Sequence, residues 1–243
     1  MTKTMKIAFQ GEPGANSHIA ISDAYPTAEA MPCATFEDAL SAISSGEADL
    51  GMIPIENSVA GRVADIHHLL PQSGLFIVGE WFLPIRHQLV AVPGAKLEDI
   101  KTVESHVHAL GQCRRIIRKF GLKPIVAGDT AGSARIIAER GDKSCAAISS
   151  RLAAQIYGLD ILAEDIEDEA HNTTRFVVLA REPRWAAQGS GNFFATQFYA
   201  DVDGHPEDRN LAFALDELKF FSREFRIVGV YPGHPFRATF TER

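Results

Sequence analysis

The residues best equipped for chemistry form one stretch, His171-Asn172-Thr173-Thr174-Arg175-Phe176, which runs directly into Val177-Val178-Leu179-Ala180. The apolar run, rich in β-branched residues, predicts an interior strand. An amide, two hydroxyls and a guanidinium therefore collect at the strand's mouth. A guanidinium's planar fork matches a carboxylate bidentately, and a hydroxyl can donate to an oxygen that is leaving or gaining charge. The same residue types also serve plain turn chemistry, with Asn and Thr capping backbone groups and Arg solvated on the rim. A second polar cluster, Glu56-Asn57-Ser58, closes the apolar run from Leu50 to Ile55, with Gly61 close behind. Pro54 demotes the second half of that run from interior strand to strand end. Glu56, Asn57 and Ser58 then sit where the strand gives out, the usual place for a site in an open α/β sheet.

The elements that must position these groups alternate along the chain. Residues 6 to 10 predict a strand, and the turn Gly11-Glu12-Pro13-Gly14-Ala15-Asn16-Ser17 leads to a helix over 18 to 23. A turn of this kind offers free N–H groups to an anion, although it lacks the Gly-Lys-Ser/Thr of a P-loop. Helical spacing covers 36 to 45 and stops at Gly46. Strands are predicted over 75 to 83 and from 89, and a further one over 102 to 106 feeds a helix over 107 to 120. Ser105 is the natural N-cap there, and Ala109, Gln112, Cys113, Ile116 and Ile117 form the inward face. A strand from 124 leads through the polar turn holding Asp129 and Thr130 to a helix over 134 to 140, and a strand from 145 leads to a helix over 151 to 157. This alternation over residues 6 to 180 predicts a mostly parallel α/β architecture. Ser, Thr, Asn or Gly recurs at its strand ends, which points to a small anionic ligand held in a cleft between two lobes.

Composition sets the outer bounds. Hydrophobic content of 46% with 23% charged residues over 243 positions is that of a globular protein of one or two domains. A net charge of −7 argues against nonspecific nucleic-acid or membrane binding, so an anionic ligand must be held by local donors. No run approaches the ~20 apolar residues of a membrane span. Cys33, Cys113 and Cys145 are too few for a disulfide framework, and with no signal-peptide pattern at Met1 they suggest a cytoplasmic protein. His67-His68 and His106-x-His108 lack further ligands at metal spacing, so no metal or other cofactor is expected. Cys113 reads as a small core residue, and residues 164 to 169 read as a solvated acidic connection.

Taken together, Gly11-x-x-Gly14, Ile53-Pro54-Ile55-Glu56-Asn57-Ser58 with Gly61, Ser105-His106 through Ala109-Leu110-Gly111-Gln112-Cys113, Ala146-Ala147-Ile148 and Asn172-x-Thr174-Arg175-Phe176 resemble the prephenate dehydratase family over residues 6 to 181. The resemblance implies a cytosolic enzyme of phenylalanine biosynthesis that converts prephenate to phenylpyruvate, carbon dioxide and water. It also implies a catalytic region over residues 1 to 181 with two lobes like a type II periplasmic binding protein. Lobe one would hold about 1 to 83 plus 166 to 181, and lobe two about 84 to 165. Thr174 would donate a hydrogen bond to the leaving hydroxyl, and Arg175 would anchor a carboxylate or hold the loop. Asn57, Ser58, Ser105 and Gln112 would form a polar wall, with Asp129 and Thr130 on the far side. Thr173 and Phe176, from the same motif as Thr174, complete the substrate-binding set. The competing class is a non-catalytic binding protein for a small carboxylate, since a two-lobed fold also serves solute binding.

Family members usually carry a C-terminal ACT domain that binds phenylalanine, and here the sequence departs from them. Residues 193 to 203 predict a strand, 208 to 222 a helix and 225 to 231 a strand, the second half of a ferredoxin-like α+β unit over 192 to 243. Only residues 182 to 191 precede it as linker, whereas a βαβ unit needs ~30 residues. The family's Gly-Ala-Leu and Glu-Ser-Arg-Pro regulatory motifs have no counterpart. A phenylalanine effector is therefore doubtful for this chain, while a homodimer or homotetramer is expected.

Overall fold

The computed structural model describes residues 4–169, 171–183, 205–222, 225 and 227. It divides into two units, Met1–Ala187 and Gln188–Arg243. In the second unit the described element is a helix, Arg209–Phe221, within the predicted 208 to 222. The strand expected over 193 to 203, the linker from 184 onward and, apart from 225 and 227, the strand expected over 225 to 231 lie outside the described residues.

The first unit holds two sheets. The first contains β1 (Lys6–Gln10), β2 (Glu29–Cys33), β3 (Leu50–Asn57), β5 (Phe76–Pro84) and β11 (Thr173–Ala180), in the order β2-β1-β3-β11-β5, with β4 (Gly61–Arg62) paired to β3. The second contains β6 (Gln88–Ala91), β7 (Thr102–Ser105), β8 (Lys123–Val126), β9 (Cys145–Ser149) and β10 (Asp160–Ala163), in the order β10-β6-β9-β7-β8. The chain thus leaves the first sheet after Pro84 and returns to it at Thr173. Both sheets are mixed, which corrects the expectation of a mostly parallel architecture. β11 lies antiparallel between β3 and β5 because it re-enters from the second lobe, and β6, the strand that enters that lobe, is antiparallel to β9 and β10.

The apolar run of β11 is buried on both faces of its sheet. Phe176 and Val178 pack with Ile7, Phe9, Ile21 and Met52, while Val177 and Leu179 pack with Ala8, Ile43, Ile53 and Ile66 on the other side. Each such side chain contributes about 1.5–3 kcal/mol when fully buried, so register at the mouth of β11 is tightly held. Helix α2 (Phe36–Ser45) has its predicted bounds because both ends are written locally. Thr35 and Asp38 form a capping box, and Gly46 closes the helix at φ 85°.

Pro54 does not end β3. The strand runs to Asn57, with Pro54 opposite Phe176 and a bulge at Ile55. β1 pairs only with Leu50 and Gly51, and β4 only with Glu56 and Asn57, so no ladder needs the missing Pro54 N–H on that side. The helix expected over 107 to 120 is broken at Cys113 into α4 (Val107–Gln112) and α5 (Arg114–Lys119). Asp168 causes the break: its carboxylate takes the N–H groups of Arg114 and Arg115, and its own N–H donates to the Gln112 carbonyl.

Asp168 belongs to the return crossing, which is not a solvated acidic connection. Glu167 is buried, paired with Arg86 and accepting the His87 N–H at 2.9 Å. Ile85 N–H donates to the Asn172 carbonyl and Ile166 N–H to that of His87, so the outgoing and returning crossings form one hydrogen-bonded hinge. A second clasp joins the lobes through the loop that follows β1. Ser150 Oγ donates to the Gly14 carbonyl, Tyr157 Oη donates to that of Pro13, and Arg135 lies 3.4 Å from Glu12.

Candidate functional site

The mouth of β11 meets the end of β3, and Thr174 is the direct cross-strand partner of Asn57. The bulge at Ile55 sits immediately before this pair, a common device for aiming side chains beside a site. Asn57 Oδ1 accepts the backbone N–H groups of Val59 and Ala60 at 3.0 and 2.8 Å, which fixes the amide's orientation. Its Nδ2 must then be the donor, and it reaches Asn172 Oδ1 at 2.7 Å and Thr174 Oγ1 at 2.9 Å. Thr174 Oγ1 is therefore an acceptor on the protein side, and its own hydrogen remains available to a ligand. The donated N–H also polarises the hydroxyl and strengthens it as a donor.

The network continues into the second lobe. Asn172 is nearly fully buried, and its Nδ2 donates to Gln112 Oε1 at 2.9 Å. With Oε1 engaged, Gln112 can meet a ligand only through its Nε2 N–H groups, which hydrogen-bond to no described residue. Asn57, Asn172, Thr174 and Gln112 thus combine the end of β3, the return crossing and α4 in one half-buried polar wall. Of these, Asn172 was not among the expected site residues. It stands in the polar stretch and the family motif, but its role as the link to Gln112 could not be read, because that partner lies 60 positions away.

The remaining candidates occupy other places. Ser58 Oγ donates to the His171 carbonyl and accepts the Thr173 N–H, so both residues lock the loop at the strand's mouth. Ser105 is fully buried and donates to the Ile148 carbonyl at 2.6 Å. It is not the N-cap of α4; that position is His106, whose Nδ1 accepts the His108 N–H. Asp129 caps α6 (Thr130–Arg140), which begins four residues earlier than expected because Asp129 accepts the Gly132 N–H at 2.6 Å. Thr130 opens that helix, and neither residue hydrogen-bonds to the wall. Arg175 points along the sheet to Glu80 on β5, with Nε–Oε2 2.9 Å and Nη2–Oε2 2.8 Å, and its guanidinium lies over the Phe82 ring. Phe176 is core. Burial pushes the Cys113 thiol well above its ordinary range, which leaves it inert at neutral pH. Among the described residues no cluster of His, Cys, Asp and Glu could hold a metal ion, and no helix is long and apolar enough to cross a membrane.

Comparison with known proteins identifies the family. The prephenate dehydratase family model matches residues 7–184. A Komagataeibacter europaeus protein named as a bifunctional N-acyl-homoserine lactone acylase/prephenate dehydratase is 43% identical over 95% of this chain and 97% of its own. An Arabidopsis thaliana protein named arogenate dehydratase/prephenate dehydratase 1 is 36% identical over 94% of this chain and 72% of its own. Among solved structures, a quorum-quenching acylase is 40% identical with a TM-score of 0.70, covering 96% of this chain and 99% of its own. The Arthrobacter aurescens prephenate dehydratase in complex with L-Phe is 34% identical with a TM-score of 0.69, covering 74% of this chain and 61% of its own. With more than half its length under the family model, this chain belongs to the prephenate dehydratase family, decarboxylating dehydratases of the lyase class.

Proposed function

We propose that the wall around Thr174 carries out the decarboxylative dehydration of prephenate to phenylpyruvate. The observation that supports this reading is the donation from Asn57 Nδ2 to Thr174 Oγ1, which leaves the threonine hydrogen free for substrate. In the reaction the bond to the ring carboxylate breaks and its electron pair becomes a ring double bond. Carbon dioxide departs, the C–O bond breaks with its electron pair going to the oxygen, and the hydroxyl leaves as water by taking a proton from solvent. Aromatisation supplies the driving force. The protein must assist the leaving oxygen, and Thr174 does so by hydrogen bonding, since a threonine hydroxyl is too weak an acid to transfer its proton before the bond breaks. Gln112 Nε2 adds donors that favour a carboxylate, and Asp129 with Thr130 forms the opposite side of the cleft on the second lobe.

The enzyme acts without metal or cofactor, in the cytoplasm, as a homodimer or homotetramer. Its regulatory region is a partial ACT domain, and turnover does not respond to phenylalanine. The testing experiment follows phenylpyruvate formation from prephenate by the full chain and by Thr174→Ala. Loss of a donor aimed at a developing oxyanion costs about 10²–10³ in turnover. Unchanged kcat in a folded Thr174→Ala protein would remove Thr174 from the mechanism, and no turnover by the folded parent would leave a carboxylate-binding protein.

A further inference from the structure

The polar wall does not stop at Gln112. His87 lies on the outgoing crossing between Pro84 and β6, 4% exposed, and its Nε2 stands 2.9 Å from Gln112 Oε1. The direction of every hydrogen bond in the chain can be worked out from one end. Backbone N–H groups hold Asn57 Oδ1, so Asn57 Nδ2 donates to Asn172 Oδ1. Asn172 Nδ2 is then a donor, so the Gln112 atom it meets is the oxygen. An amide oxygen only accepts, so His87 must present Nε2–H to it. Burial holds the imidazole below its ordinary pKa, which keeps the ring neutral with Nδ1 unprotonated. The backbone of His87 is fixed on both sides, its N–H to Glu167 Oε2 and its carbonyl to Ile166 N–H. The ring is therefore a rigid donor at the hinge, four side chains from the reacting hydroxyl.

We infer that His87 is a positioning residue for the dehydration: its Nε2–H locks the Gln112 amide, which through Asn172 and Asn57 holds the Thr174 hydroxyl with its hydrogen turned to the substrate. Without that donor the Gln112 amide is free to turn over. Its NH₂ would then face the NH₂ of Asn172 and push it off Asn57, so the amide that holds the Thr174 hydroxyl would lose a partner on that side while its direction stayed fixed by Val59 and Ala60. This inference rests on the reading of Thr174 as the donor to the leaving oxygen.

Two measurements on the full-length chain test it. In protein labelled with ¹⁵N-histidine, long-range ¹H–¹⁵N correlation reads the ring tautomer directly. The expected result is a neutral His87 with hydrogen on Nε2, and hydrogen on Nδ1 alone would overturn the inference whether or not any variant folds. In the second measurement, His87→Met removes the donor at similar volume, and kcat should fall about tenfold, the effect of one lost neutral hydrogen bond. His87→Gln, which restores an N–H near the Nε2 position, should recover most of it. In the Thr174→Val background the His87→Met loss should vanish, because the residue through which it acts is gone. An equal loss in both backgrounds, or full kcat in His87→Met, would overturn the inference alone. Full kcat in Thr174→Val would instead remove the Thr174 reading, and the inference with it.

Discussion

Asn57 Nδ2 donates to Thr174 Oγ1 at 2.9 Å, and the direction of that bond is set by two backbone N–H groups on the amide's oxygen. A reversed bond would leave the threonine hydrogen spent on the protein. Asn57→Asp tests the point with almost no change in shape. One carboxylate oxygen would still accept from Val59 and Ala60, while the other could only accept from Thr174, turning its hydrogen inward. The expected outcome is a folded protein whose kcat for prephenate falls by about 10²–10³. A thermal melt establishes folding, and steady-state kinetics shows whether the chemical step is affected.

Arg175 is committed to the sheet. Its guanidinium pairs with Glu80, the two side chains being 29% and 33% exposed, and rests over Phe82. Replacing it with Ala should leave KM for prephenate within about threefold and lower stability by about 0.2–1 kcal/mol, as for partly exposed pairs. Glu80→Gln should reproduce the stability change. A large rise in KM for Arg175→Ala that Glu80→Gln does not share would show that the guanidinium leaves Glu80 to hold a substrate carboxylate.

Stability should fall on mild acidification. His18, His87 and His106 each have a pKa lowered chiefly by burial, with His108 adding to the effect at His106 while Gln112 and Glu167 oppose it at His87. In the window between the lowered folded pKa and the unfolded value near 6.5, the unfolded chain binds more protons, so stability rises with pH there. The contribution is complete above about pH 6.5 and is lost as pH drops toward the folded values. Urea midpoints at about pH 7.5 and 5.5 check this. His87→Gln should flatten the slope, and an unchanged slope would show that His87 is not among the groups responsible.

Loss of phenylalanine control is expected from spacing. Ten residues, 182 to 191, cannot supply the first half of an ACT unit. The alignment with the Komagataeibacter europaeus relative runs over 272 residues, more than this chain's 243, so that relative carries residues this chain lacks. Turnover is expected to be the same with and without millimolar phenylalanine, and calorimetry should detect no binding. Inhibition would show that the C-terminal region, in this chain or across two copies, still makes a phenylalanine site.

What could be read from the sequence was what is written locally. Helix α2 carries its own capping box and glycine stop, and β11 is apolar on consecutive residues because both faces are covered. The family motifs likewise brought Asn57, Gln112 and Thr174 forward, and the structure joins them in one network. The early start of α6 at Asp129 and the N-cap at His106 were local signals passed over, but the other misreadings had distant causes. Cys113 interrupts a helix because Asp168, 54 positions from Arg114, takes its N–H groups. Glu167 looked solvated because its partner Arg86 lies 81 positions away across the hinge. Arg175 looked free because Glu80, on a strand 95 positions earlier, is adjacent only once β11 has inserted. Asn172 stood out in the polar stretch and the family motif, yet its role and that of His87 could not be read for the same reason: an Asn or His reveals its role only through the residues it meets.

The clasp between the lobes makes a prediction that depends on a single glycine. Gly14 has φ +91°, and a Cβ built on it would lie 2.6 Å from Ala153 Cα on the other lobe. No flexible side chain can give way there, because the obstacle is backbone at the first turn of α7 (Arg151–Tyr157). Gly14→Ala therefore has to adopt a disfavoured backbone conformation and push the two lobes apart, lengthening the Ser150–Gly14 and Tyr157–Pro13 bonds. The conformational cost together with overpacking predicts a loss of about 1–3 kcal/mol in stability. Because the clasp joins the two lobes that carry Thr174 and Gln112, KM is expected to rise more than kcat falls. Tyr157→Phe, which removes one bond without crowding, should show a smaller change of the same kind. If Gly14→Ala lost stability while KM stayed at the parent value, the clasp would be a folding element that does not set the width of the cleft.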